Sequence, residues 1–159
     1  MNMPSLQTIE HFLQDEADLL DCADLENWIN LFTEDGTYWM PATPDQDDPL
    51  NHISHIYDDR VMMEIRKRNF VHPRAASKEP TIRCSHLLGN IRLHGVSSDG
   101  LLRVESKFHV VVWYRESQRI YAGRCEHLLR QEEDQLKIYR KRVDLLNADS
   151  PQQSLILYL

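Results

Sequence analysis

Between Leu101 and Leu146 three long segments of β character follow one another with only short polar breaks between them. In the first, Leu102, Val104, Phe108, Val110, Val112 and Tyr114 hold the even positions, while Arg103, Glu105, Lys107 and His109 hold odd ones. Such alternation gives a strand one dry face and one wet face. From Val110 to Trp113 both faces turn apolar, which predicts cover on both sides there. Glu116-Ser117-Gln118 predicts a turn and Ile120 to Arg130 the return strand. Glu132 to Gln135 predicts the next turn and Leu136 to Leu145 the third strand. Sequential strands with short links most simply make an antiparallel meander.

Upstream, Leu6, Ile9, Leu13, Ala17 and Leu20, with Phe12 and Leu19, form the stripe of an amphipathic helix that Ser5 would cap. Asp24 would cap a second, shorter helix with Leu25, Trp28, Ile29 and Phe32 on its apolar face. Thr33-Glu34-Asp35-Gly36 is a turn signal, followed by a short strand, Thr37 to Met40. Pro41 to Pro49, with Asp45, Asp47 and Asp48, reads as an exposed acidic loop. Ile53 to Tyr57 predicts a strand, and Asp58 or Asp59 the cap of a helix with Val61, Met62 and Ile65 on its apolar side. Val71 to Pro80 reads as a basic loop, and Thr81 to Leu93 as a strand with Leu87, Ile91 and Leu93 on one face. The apolar run Leu155 to Leu159 is expected to dock rather than hang free. Helices gathered first and strands last mean α+β: a strongly curved, antiparallel or mixed sheet, cone-shaped, packed on N-terminal helices.

One domain over 1–159 is expected, since no linker, repeat or low-complexity tract interrupts the chain. The net charge of −7 argues against nucleic acid or an anionic membrane as partner. No apolar run approaches the ~20 residues of a membrane span, and Met1 to Ser5 begins no signal peptide, so a cytoplasmic protein is expected. Cys22, Cys84 and Cys125 stand far apart with no CxxC pair, which fits reduced thiols rather than a metal cluster.

Several segments together resemble the small (β) subunits of aromatic-ring-hydroxylating dioxygenases. They are Glu16 to Asp21, Trp28, Leu31-Phe32-Thr33, Asp35 and Tyr38 to Pro41, then Ile53 to Arg60, Arg83, Ser85-His86 and Asn90-Ile91. Tyr121 to Arg124, Leu128 to Arg130 and Tyr139 to Val143 complete the set. The resemblance implies the cone of nuclear-transport-factor-2-like (cystatin-like) proteins. It also implies a structural role beside a large (α) subunit carrying a Rieske [2Fe–2S] cluster and a mononuclear Fe(II). The two kinds of subunit would form an α3β3 hexamer, with copies of this chain around the three-fold axis. Electrons from NAD(P)H would arrive through a reductase, and the ring substrate would be benzoate-like or a related mono- or bicyclic aromatic.

The residues themselves offer no catalytic, cofactor-binding or metal-binding set. His52 and His55 share a face only on a helix, and their segment reads as strand. His86 and His109 read as hydrogen-bonded histidines. Cys125 with His127, and Cys84 with His86, share strand faces but lack an orienting third group. The alternative is a free-standing dehydratase or isomerase, a type also found on this fold, with Asp21, Asp24, Tyr38, His86 and His109 in an apolar pocket. Against it stands a surplus of Arg and aromatic residues suited to a subunit interface: Trp113, Tyr114, Arg115, Arg124, Arg130, Tyr139, Arg140 and Arg142.

Overall fold

The computed structural model describes residues 2–70, 82–152 and 158–159. Three helices, α1 (Leu6–Asp21), α2 (Leu25–Ile29) and α3 (Arg60–Phe70), accompany six strands. These are β1 (Phe32–Pro41), β2 (Ser54–Asp59), β3 (Arg83–Val96), β4 (Leu102–Tyr114), β5 (Ser117–Glu132) and β6 (Gln135–Leu145). They form one curved sheet in the order β2-β1-β6-β5-β4-β3, wrapped over the N-terminal helices as a cone.

The meander is where the alternation puts it. Leu102, Val104, Phe108 and Val110 are buried on the inner face, while Arg103, Lys107 and His109 face outward. Its turns are tighter than the polar stretches suggest. Arg115 and Glu116 alone link β4 to β5, both with positive φ (51° and 59°), as a two-residue hairpin of type I′ twist requires. The expected cover on both sides of Val110 to Trp113 is not found among the described residues: Val110 is buried but Trp113 is 39% exposed.

α1 is capped by Ser5, whose Oγ accepts the Thr8 N–H at 3.1 Å. Its buried stripe, Ile9, Leu13, Ala17 and Leu20, packs against β3 and α2. Ile9, Leu13 and Leu20 each contribute roughly 1.5–3 kcal/mol through burial. Asp24 caps α2 through the Asn27 N–H, but Phe32 opens β1 instead of extending the helix. Thr33 to Gly36 form a bulge inside β1, across which pairing with β6 jumps from Phe32–Ile138 to Thr37–Arg140. That pairing is parallel. It inserts the N-terminal strand beside the last one, which no local signal announces.

Two further expectations change. Asp59 caps α3 through the Met62 N–H, yet Val61, Met62 and Ile65 are exposed and Met63 is the buried residue. Arg66 sets that orientation by pairing with the buried Asp58. Leu87 is 72% exposed, whereas Leu88, Ile91 and Leu93 pack on the core, because a bulge at Gly89–Asn90 (Asn90 φ 50°) switches the strand's phase. The loop Val71 to Pro80 and the residues Leu155 to Leu157 lie outside the described residues. Tyr158 and Leu159, at the end of the expected docking run, are buried.

Candidate functional site

The cone's interior is built around one carboxylate. Glu16, on the inward face of α1, is 2% exposed. Its Oε1 accepts from His127 Nε2 at 2.7 Å. Its Oε2 accepts from Lys141 Nζ at 2.6 Å and from Trp28 Nε1 at 3.0 Å. Four elements, α1, α2, β5 and β6, therefore meet on one side chain. Burial alone would raise the Glu16 pKa, but the Lys141 ammonium and His127 outweigh it and hold the carboxyl well below the usual range. A carboxylate engaged by three donors is a poor proton acceptor. It pins the helix to the sheet.

A second cluster lies where α1 ends. Asp21, its last residue, accepts the His86 backbone N–H (3.0 Å) and His86 Nδ1 (2.5 Å), and the Cys84 thiol lies 3.5 Å from it. Both strand pairs judged to lack a third group thus have one: Asp21 orients His86, and Glu16 orients His127. The partners lie 65 and 111 residues away, which no local pattern reveals. The thiols stay inert. Burial, and for Cys84 also the Asp21 charge, pushes Cys84 and Cys125 up to about 12, far from the thiolate a nucleophile needs. Burial likewise lowers the His86 pKa, with Asp21 opposing.

Among the described residues, Asp21, Cys84 and His86 are the group close enough to hold a metal ion, their ligand atoms within 4.8 Å of one another. One histidine, one thiol and one carboxylate match neither the two-His-two-Cys set of a Rieske cluster nor the two-His-one-carboxylate set of mononuclear iron. The three cysteines do not converge: Cys22 is exposed, Cys84 half-buried and Cys125 in the core.

The other candidates disperse. Asp24 is spent on its cap. Tyr38 is fully buried, its hydroxyl donating to the Leu159 carbonyl at 3.2 Å and accepting the Leu159 N–H at 3.1 Å. His109 is on the outer face. His55 donates to the Ala148 carbonyl at 2.6 Å, and His52 is exposed. Tyr158 stacks on Trp28 (ring centroids 4.5 Å apart), meets Tyr38 edge-on and donates to Asp58 at 2.7 Å. The space left beside Glu16, His86, Ser106 and His127 is about 10 Å³, too little for any organic substrate.

On the outer face several of the interface arginines are held within the chain. Arg140 and Arg142 lie over the Trp39 ring at 5.6 and 4.4 Å, Arg140 also pairs with Glu126, and Arg130 pairs with Asp35. Beside the exposed Lys107, His109 and Arg124, an apolar patch also stays open there. Trp113 and Val111 point outward on β4, with Ile120 opposite Val111 on β5 and Leu87 on β3. Leu87 and Ile120 are 72% and 65% exposed.

Comparison with known proteins agrees with this geometry. The family model described as ring hydroxylating beta subunit matches residues 15–150. The small oxygenase component of the p-cumate 2,3-dioxygenase system of Pseudomonas putida is 32% identical over 136 residues, covering 84% of this chain and 75% of its own. The β subunit of the benzoate 1,2-dioxygenase of Burkholderia mallei superposes with a TM-score of 0.79 at 27% identity, over 92% of this chain and 94% of that one. A proposed scytalone dehydratase from Novosphingobium aromaticivorans shares the fold alone, with a TM-score of 0.65 at 18% identity over 88% and 83% of the two chains. The family match over residues 15–150, with relatives of the same kind along most of the chain, places this chain among the β subunits of aromatic-ring-hydroxylating dioxygenases.

Proposed function

We propose that this chain is a structural subunit that supplies a folded platform to a large, iron-bearing oxygenase subunit and contributes no reacting group to ring dihydroxylation. The observation that carries this reading is the outward apolar patch of Leu87, Val111, Trp113 and Ile120, on the sheet face away from the small space of about 10 Å³ beside Glu16, His86, Ser106 and His127. Exposed clusters of large apolar side chains mark interaction sites. A partner lying there would provide the second cover that the Val110 to Trp113 segment calls for.

The Rieske [2Fe–2S] cluster and mononuclear Fe(II) belong on the partner, a reading supported by the Asp21–Cys84–His86 group, which among the described residues fits neither. An α3β3 hexamer, NAD(P)H as electron source through a reductase, and a cytoplasmic setting complete the reading. No helix among the described residues is long and apolar enough to cross a membrane. The names of the relatives, which include p-cumate and benzoate dioxygenases, favour an aromatic carboxylate as the ring substrate. The dehydratase reading draws on the Asp21–His86 pair, but among the described residues the space that His86 lines is only about 10 Å³.

The test is to purify the tagged chain from its host and measure native mass, subunit ratio and iron. Equal numbers of this chain and a larger iron-bearing chain support the proposal. Elution as an iron-free homo-oligomer that alone turns over a hydroxylated substrate overturns it. In the assembled enzyme, His86→Ala should leave turnover per iron unchanged, whereas Trp113→Asp should reduce the amount of large subunit that co-purifies.

A further inference from the structure

Two side chains of β3 aim at one carboxylate oxygen. Cys84 and His86 stand two residues apart, so both leave the strand on its less exposed face. Asp21, the last residue of α1, lies over them. Its Oδ1 meets His86 Nδ1 at 2.5 Å and the Cys84 thiol at 3.5 Å, while its Oδ2 accepts the His86 backbone N–H at 3.0 Å. The three ligand atoms all lie within 4.8 Å of one another. One oxygen facing both a thiol and an imidazole is a place where a single cation can join all three.

The spacing suits a small tetrahedral ion. Zinc binds sulfur at about 2.3 Å and imidazole nitrogen or carboxylate oxygen at about 2.0–2.2 Å. Tetrahedral angles then put sulfur and oxygen about 3.5 Å apart, and nitrogen and oxygen about 3.3 Å apart. Cys84 and Asp21 already stand at the first separation. The second asks His86 and Asp21 to part by about 0.8 Å. The Asp21 side chain is 22% exposed and that of His86 3%, so the carboxylate has the freedom to move and the ion enters from its side. A thiolate selects against magnesium and calcium, which take oxygen ligands, whereas zinc accepts all three donor types.

We propose that Asp21 Oδ1, Cys84 Sγ and His86 Nδ1 bind one zinc ion, with a water as the fourth ligand. The thiol that stays protonated in the free chain gives its proton to solvent as the ion arrives, and His86 binds as a neutral ring with its proton on Nε2. The carboxylate and the thiolate balance the two positive charges, and no oxidation state changes. The ion staples the end of α1 to β3, an edge strand of the sheet. Its ligands come from positions 63 and 65 residues apart, so the spacing of cysteines and histidines along the sequence does not announce the site. The inference does not rest on the subunit reading above.

The full chain, stripped with a chelator and dialysed against micromolar zinc, should retain one zinc per chain by plasma mass spectrometry. Cys22→Ser, which removes the exposed thiol beside Asp21, should retain the same amount. Cys84→Ala and His86→Ala should each lose it. X-ray absorption at the zinc edge of Cys22→Ser should show one sulfur at about 2.3 Å and lighter neighbours at about 2.0–2.2 Å. A wild-type chain that retains no zinc overturns the proposal, as does zinc that persists in folded Cys84→Ala and His86→Ala or departs with Cys22→Ser. A zinc edge without sulfur overturns it too. If the alanine variants do not fold, the absorption spectrum decides, because it reads the ligands directly.

Discussion

The Glu16 carboxylate and the Lys141 ammonium meet at 2.6 Å, 125 residues apart in sequence, with side chains only 3% and 5% exposed. Two charges taken so far from water survive only because each is paired and the carboxylate is fully hydrogen-bonded. Glu16→Ala would strand the Lys141 charge in the interior and remove the acceptor from Trp28 and His127. The expected loss is roughly 3–5 kcal/mol, read as a lower urea midpoint with an unchanged slope.

The same carboxylate links stability to acid. In the unfolded chain Glu16 titrates near its ordinary 4.5, whereas folding, against the opposing effect of burial, lowers that value through Lys141 and His127. Below 4.5 the unfolded state therefore binds a proton that the folded state refuses. The stabilisation is complete above that pH and fades as pH falls toward the folded value. Glu16→Gln, lacking this proton, should show a shallower fall in unfolding free energy between about pH 5 and pH 3, measured by urea titration at each pH.

Gly123 is fixed by proximity rather than by backbone angle. A methyl group there would lie 1.9 Å from the Asp144 carbonyl oxygen on β6, and backbone cannot yield as a side-chain tip does. Gly123→Ala should force β5 from β6 and destabilise the chain by about 1–3 kcal/mol or more. Loss of amide-exchange protection along β6 would locate the damage, and full protection there would count against the close approach.

Tyr158 fills space and satisfies Asp58 at once. Tyr158→Phe keeps the stack on Trp28 and loses one hydrogen bond, at about 1 kcal/mol, since Arg66 still covers Asp58. Tyr158→Ala empties the site and should cost roughly 3–5 kcal/mol. Thermal melts of both variants separate packing from hydrogen bonding.

The thiols differ in access and acidity. Cys22 is exposed, whereas Cys84 and Cys125 are pushed up to about 12 by burial. A thiol reagent such as dithionitrobenzoate should modify one cysteine rapidly in the native chain and all three in urea. Rapid modification of Cys125 would contradict its place in the core.

Local chemistry was enough for much of this fold. Period-2 alternation located β4 with its inner and outer faces, the 3–4 spacing located α1, and Ser5 and Asp24 were legible as caps because a cap bonds within three residues. The tight Arg115–Glu116 turn was misplaced because neither residue is one that favours positive φ. The Gly89–Asn90 bulge, the parallel β1–β6 pairing and the exposed side of α3 were hidden for another reason. Each is set by what lies opposite in space. The interior followed the same rule. Glu16 is one of several acidic residues on its helix, and only the arrival of His127, Lys141 and Trp28 makes it the hub of the cone, just as only Asp21 makes a pair of His86. Sequence by itself determined most of the elements, the faces of α1 and β4 and the family, since propensity, capping and side-chain period act within a few residues. Tertiary structure alone decided strand order, bulge phase and the buried charge network, because those depend on contacts between segments that the chain brings together only when it folds.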